Sequence, residues 1–314
     1  MTSPHAPPGK EQGKGWSSRS VGSPLQHRIF YALIRIGGRR PAYALLFLVA
    51  WYYALFRPSV RNRSRHYLSR RFPGRGALGR LRDDFRIAFE LGTILVDRAV
   101  LGILGPGRFE VGLDGRERLQ ALLAEGHGLI LVTAHVGCWQ IGMSSLSTLG
   151  PPVGLLIHRD AGDVDRHFFE HGGGPAPYAI IDPAGWLGGT LEMLQRLKRG
   201  EVLCIMGDRV MGGDGSAVAV DFLGSAVRLP FSPYKLASAT GAPVAVIFPY
   251  RSGPGRYALQ VADVIRVPGI SGKSPESFHP FAEQFSDALE RFVSKHPYQF
   301  FNFFNMWEKT EPNR

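Results

Sequence analysis

Leu129-Ile130-Leu131-Val132-Thr133-Ala134-His135-Val136-Gly137-Cys138-Trp139-Gln140 is the stretch on which the fold turns. Its first six residues carry no charge and have the length of a strand rather than a helix, so they read as a strand buried on both faces. His135 is the first residue beyond that run, and a helical pattern follows over Gln140–Leu149. Further short apolar runs lie at Val153–Ile157, Ala179–Ile181, Val202–Met206, Val218–Phe222, Val244–Tyr250 and Tyr257–Val264. Helical stretches separate or flank them at Gly115–Glu125, Trp186–Lys198, Pro233–Thr240 and Phe278–Lys295. Such alternation predicts an α/β fold with an open, largely parallel sheet and helices on both faces.

In open α/β sheets ligands bind at the carboxyl ends of the strands, which is where His135 falls. Gly137 allows a close approach of backbone or ligand. Gln140, five positions after the histidine, can fold back across the strand–helix turn and accept a hydrogen bond from the imidazole. That bond would fix the tautomer and leave the other ring nitrogen to take a proton. Taken alone, a histidine after a strand is more often structural.

Charge divides the chain. Residues 1–80 hold fifteen Lys/Arg against one acidic residue, Glu11, whereas the rest has slightly more acidic than basic groups. Nucleic-acid binding would need basic residues on the globular body, which is net acidic. Residues 1–25, rich in Pro, Gly, Ser and Lys, read as a disordered basic leader. Pro41–Phe56 carries no charge and is bracketed by Arg39 and Arg40 on one side and Arg57, Arg61, Arg63 and Arg65 on the other. As a helix this run is roughly 23 Å long, short of the ~30 Å hydrocarbon core. Trp51, Tyr52 and Tyr53 near one end suit a bilayer interface. The expected organisation is a membrane-attachment segment over 26–60, monotopic or single-pass, followed by a domain over 61–314. The bland alternative for the apolar run is a buried core helix. Ser59–Arg71 reads as a basic surface helix and Leu81–Leu104 as a long helix. Two cysteines, Cys138 and Cys204, do not make a disulfide scaffold.

The stretch His135-Val136-Gly137-Cys138-Trp139-Gln140 resembles the His-x4-Asp/Glu motif of the lysophospholipid acyltransferase superfamily. It is most similar to the branch of the late lauroyl/myristoyl acyltransferases of lipid A biosynthesis, where the strand is followed by His-x-Gly-Asn-Trp-Glu. The likeness continues through Met206-Gly207-Asp208-Arg209, Val220–Gly224 with Arg228-Leu229-Pro230, and Thr240-Gly241-Ala242-Pro243-Val244. It ends in Tyr298-Gln299-Phe300-Phe301-Asn302-Phe303-Phe304-Asn305-Met306-Trp307, and so covers roughly residues 25–308. The Gly-Asp-Arg and Phe-Phe-Asn-Phe versions look most like the acyltransferases found with aryl-polyene pigment biosynthesis. What the resemblance implies is acyl transfer from an acyl carrier protein or CoA thioester to a hydroxyl of a membrane lipid, glycolipid or pigment conjugate. The reaction would occur at the cytoplasmic face of the inner membrane, with no cofactor or metal. His135 would be the general base and Gln140 its partner, and Gly137, Asp208, Arg209 and Arg228 would contact substrate. Phe300, Phe301, Phe303, Phe304 and Trp307 would line an acyl-chain cleft.

One departure matters. The carboxylate of the motif is replaced by Gln140, which can hold a tautomer but cannot support an imidazolium by charge. Exchanging a triad carboxylate for its amide costs roughly 10⁴ in turnover in a serine protease. Either another acid, Asp160 or Asp208, substitutes, or the enzyme is slow, or the protein is a non-catalytic, membrane-bound lipid-binding fold. A Cys138–His135 nucleophile pair and metal binding through His167 and His171 are the weaker alternatives. The glycine runs at 172–174 and 212–215 lack the Lys-Ser/Thr of a phosphate loop.

Overall fold

The computed structural model describes residues 24–157, 178–183, 189–210, 216–269 and 274–307. Thus most of the basic leader, Asp160, His167, His171 and both glycine runs lie outside the described residues. Seven strands form one sheet in the order β1-β9-β8-β2-β5-β3-β4. They are β1 (Glu110–Asp114), β2 (Leu129–Thr133), β3 (Val153–Leu156), β4 (Tyr178–Ile181), β5 (Val202–Met206), β8 (Val244–Gly253) and β9 (Arg256–Ile265). Every pairing is parallel except that of β8 with β9, a hairpin that sets β9 and its parallel neighbour β1 against the other five. The run at 218–222 is a strand but not part of this sheet. It is β6 (Ala217–Phe222), which pairs antiparallel with β7 (Ser225–Pro230) in a separate two-stranded sheet.

The pleat sorts the core. Ile130, Val132, Leu203, Ile205, Val244 and Val246 point to one face of the sheet, where they meet helices α7 (Thr190–Lys198), α8 (Ser232–Thr240) and α9 (His279–Lys295). Leu129, Leu131, Val202, Cys204, Ala245 and Ile247 point to the other, against α5 (Arg116–Leu123) and α6 (Trp139–Leu146). All five residues of β2 are buried, as its unbroken apolar run requires.

Among the described residues, four α-helices precede the sheet: α1 (Pro24–Gly37), α2 (Arg39–Phe56), α3 (Pro58–Arg71) and α4 (Ala77–Leu104). The expected boundary at residue 60 falls inside α3; the helical break lies at Arg57, ahead of Pro58. No single helix among the described residues is long and apolar enough to cross a membrane, and α2 and α3 are bent from one another by 86°. The apolar run is buried along one side and exposed along the other. Ala42, Leu46, Ala50 and Ala54, spaced four apart, are the buried stripe of α2. Leu46 packs on α4 where Gly92 leaves room: a Cβ there would lie 2.3 Å from its Cδ1. The opposite face leaves Phe47, Leu48, Tyr52, Leu55 and Phe56 exposed.

A buried carboxylate ties these helices to the sheet. Asp97 of α4 accepts hydrogen bonds from Tyr43 Oη of α2 and Tyr257 Oη of β9, both at 2.6 Å. Burial raises the Asp97 carboxyl above its ordinary range, with the two tyrosine bonds opposing the shift. Asp97→Ala strands both hydroxyls. It should cost ~2 kcal/mol or more in denaturant unfolding of the detergent-solubilised protein, and Asp97→Asn, which keeps an acceptor, less. A loss below ~0.5 kcal/mol for the alanine variant would remove the triad as the tie between the layers.

Candidate active site

The register of the sheet builds the site. Strands β2 and β5 are parallel neighbours with Thr133 opposite Met206, so the residues two positions beyond each end, His135 and Asp208, emerge side by side. The ladder continues past the strand ends through Gly207 N–H donating to Thr133 O at 2.7 Å. Gly207 has to be small, since a Cβ there would lie 2.5 Å from Val132 Cγ1.

Asp208 holds the histidine twice. Its Oδ1 and Oδ2 lie 2.9 and 3.0 Å from His135 Nδ1, and Oδ2 also accepts the backbone N–H of His135 at 3.1 Å. The Asp208 side chain is fully enclosed, whereas that of His135 is 29% exposed. Burial by itself would raise the Asp208 carboxyl, but the His135 charge and hydrogen bonds, with Arg209 behind them, hold it below its ordinary value. A carboxylate depressed in this way adds stability above its unfolded pKa of about 4, and that stability is lost as pH falls through the lower folded value. An ionised Asp208 accepts the hydrogen bond of Nδ1–H, and in a neutral imidazole so held the lone pair lies on Nε2.

The side chain at hydrogen-bond distance from His135 Nδ1 is thus that of Asp208. Gln140 is buried, with Oε1 3.5 Å from Cys138 Sγ. Cys138 is itself enclosed in an apolar cluster with Ile94, Ile141, Tyr257 and Phe301, which argues against a nucleophilic thiol. Gly137 makes its close approach to protein. At φ +49°, a Cβ would fall 2.0 Å from Pro249 O of β8. Arg209 is half-buried beside Asp208, its Cζ 5.1 Å from the Phe304 ring centroid. Burial lowers its pKa, partly offset by Asp208. Arg228 is exposed on β7, with Nη2 3.3 Å from Ala217 O.

The aromatic carboxyl-terminal segment lies against the histidine loop. Gly137 N–H donates to Gln299 O at 2.9 Å, Phe301 N–H donates to His135 O at 2.8 Å, and Val136 and Phe300 form a β-bridge. Phe300 is core, edge-on to Tyr67 and Phe222, and Phe301 is buried. Only Phe303, Phe304 and Trp307 remain partly open. The part played by Gln299 is not visible in the motif, because its carbonyl meets Gly137 and its side chain meets the backbone of Arg251, both far from it in sequence.

A model of the family described as bacterial lipid A biosynthesis acyltransferase matches residues 27–309. The phosphatidylinositol mannoside acyltransferase of Mycobacterium tuberculosis is 30% identical over 132 residues, 41% of each chain. That of Mycolicibacterium smegmatis is 28% identical over 141 residues, 44% of this chain and 45% of the relative. These matches span less than half the length of either relative. Among solved structures, the 1-acyl-sn-glycerophosphate acyltransferase of Thermotoga maritima aligns over 82% of this chain and 96% of its own, with 16% identity and a TM-score of 0.37.

Gly137→Ala tests the packing of the loop. Gly105 also has a positive φ, +82° with ψ 171°, but open space around it, so Gly105→Ala measures backbone strain alone, about 1–3 kcal/mol. Gly137→Ala should lose considerably more in thermal melting because it adds the collision with Pro249 O. Equal losses would show that no such collision exists.

Proposed function

The chain belongs to the bacterial lipid A biosynthesis acyltransferase family, and on that premise we propose that it moves a fatty acyl group from a thioester to a hydroxyl of a membrane glycolipid. The observation that carries this reading is the His135–Asp208 pair. With Nδ1–H given to the carboxylate, His135 Nε2 takes the proton of the acceptor hydroxyl as its oxygen attacks the thioester carbonyl. The tetrahedral intermediate collapses with loss of the thiolate, and the imidazolium returns its proton to that sulfur, so the base is regenerated. Asp208 stabilises the imidazolium between these steps, as the acid of a catalytic triad does. Arg209, one residue on, supplies positive charge for the oxyanion or for an acceptor phosphate. The donor is an acyl carrier protein or CoA thioester. The names of the mycobacterial relatives favour a glycolipid acceptor over a pigment conjugate. The non-catalytic reading rested on the missing carboxylate at 140, and Asp208 supplies what Gln140 lacks.

His135→Ala should abolish transfer and Asp208→Asn should lower kcat by on the order of 10²–10⁴, with folding retained. Gln140→Glu should lower activity too, because a carboxylate buried beside Cys138 carries a desolvation cost that the amide does not. The assay is single-turnover transfer from lauroyl- or palmitoyl-CoA, and from the matching acyl carrier proteins, to phosphatidylinositol mannoside. Wild-type rates in both His135→Ala and Asp208→Asn would remove the pair from the mechanism.

Attachment at the cytoplasmic face of the inner membrane is part of this proposal, and the surface of the amino-terminal helices supports attachment to a membrane. Among the described residues, every exposed large hydrophobic side chain except Leu191 lies between positions 25 and 95. Ile36 is 88% exposed, Leu48 65% and Phe56 68%. Arg57, Arg63 and Arg65 are exposed beside this surface. An apolar face rimmed by arginines lies in the interface plane of an anionic membrane rather than crossing it. Each of Leu48→Asp and Phe56→Asp removes roughly 1.5–3 kcal/mol of apolar transfer. Flotation of the double variant with phosphatidylglycerol-containing vesicles should therefore fall at least tenfold, while salt alone releases the wild type poorly. Undiminished flotation of the double variant would exclude this surface as the attachment site.

A further inference from the structure

The catalytic loop is held from outside the His135–Asp208 pair by a chain of contacts that ends in α4. Gln299 is buried and bonds the backbone of Arg251 in both directions: Arg251 N–H donates to its Oε1 at 2.8 Å, and its Nε2 donates to Arg251 O at 2.9 Å. Its own carbonyl takes the N–H of Gly137. On the other side, the Arg251 guanidinium makes a two-point ion pair with Glu90 of α4, Nη2 lying 2.8 and 3.0 Å from the two carboxylate oxygens and Nε 3.3 Å from Oε2. The same ten-residue segment is gripped again by α4 through Tyr298 Oη donating to Asp83 Oδ1 at 2.7 Å. A primary amide carries a donor and an acceptor side by side and so can serve both the N–H and the C=O of one residue. It converts an otherwise irregular stretch at 299–301 into a fixed edge for residues 135–137.

We propose that Gln299 is a positioning residue for His135: braced by Arg251 and Glu90, it sets the backbone of the histidine loop and hence the distance from Nε2 to the acceptor hydroxyl. The brace rests on the reading of His135 as the base, but its physical effect on the loop does not. Gln299 does not touch Nδ1 or Asp208 in this arrangement. Its loss leaves the acid–base chemistry in place and misplaces it. Misplacement by about 1 Å of a reacting group can cost on the order of a hundredfold in rate.

The test compares full-length wild type, Gln299→Met, which keeps the volume and loses both side-chain bonds, and the milder Glu90→Gln. Gln299→Met should lower kcat for transfer from palmitoyl-CoA to phosphatidylinositol mannoside ten- to a hundredfold, with KM for each substrate within about twofold. Glu90→Gln keeps shape and acceptor and should fall between the variant and wild type. Amide hydrogen exchange, read without substrate, should speed at least tenfold in the peptide that contains Gly137 and in the one that contains Phe301. An unchanged exchange rate at Gly137, or a loss of kcat no larger than the loss of folded protein, would overturn the proposal. Because exchange needs no turnover, it supports or overturns the brace even where no donor–acceptor pair is active.

Discussion

The parallel pairing of β2 with β5 is the constraint on which the rest of the structure depends. Thr133 and Met206 stand opposite each other, so equal steps beyond the two strand ends bring His135 and Asp208 together at the carboxyl edge. A slip of one residue would turn one of the two side chains to the other face. That register is held by burial: even-numbered residues of β2 face one apolar layer and odd-numbered residues the other. Neither layer tolerates the exchange, because each is filled by helices on its own side. The His135–Asp208 distance of 2.9 Å therefore depends on hydrophobic packing several residues away as well as on the position of the histidine loop.

What could be read in the sequence follows from the range of the interactions. The buried strand at 129–133, the order of strands and helices, and His135 at a strand's carboxyl end are local patterns of hydrophobicity, and each is present in the fold. Strand adjacency is not local. Without the β2/β5 pairing, a carboxylate 73 positions from the histidine has no more claim on Nδ1 than a side chain five positions away, so Gln140 was the natural candidate and Asp208 an alternative. The antiparallel turn of β9 and the separate β6/β7 hairpin were hidden for the same reason. An apolar run announces a strand but not its neighbour or its direction. Strand β1 was missed because its alternation of half-buried and exposed residues at a sheet edge is a weak signal in five positions.

Moving the carboxylate from the helix after the histidine to the next strand changes what the site depends on. A partner at position 140 would share the loop of His135 and move with it. Asp208 lies two residues beyond the end of another strand and is fully enclosed, so it follows that strand rather than the histidine loop. Its Oδ2 also takes the backbone N–H of His135, which couples the ring's orientation to the loop's position. An enclosed carboxylate of this kind stays ionised only because the imidazole and the neighbouring Arg209 repay its desolvation. The loop has to be brought to the acid, since the acid cannot come to the loop.

That requirement explains why α4 contacts so many parts of the chain. One of its sides carries α2, through the Leu46–Gly92 contact and the Tyr43–Asp97 bond. Another carries Tyr257 of β9 and, through Glu90 and Asp83, the segment that edges the histidine loop. The helices whose outer face bears the exposed apolar side chains are thus packed on the same rod that bears the brace. A rigid helix transmits displacement along its length far better than a loop does. The surface proposed to meet the lipid and the group proposed to activate it are consequently parts of one mechanical unit, with α4 as the element common to both.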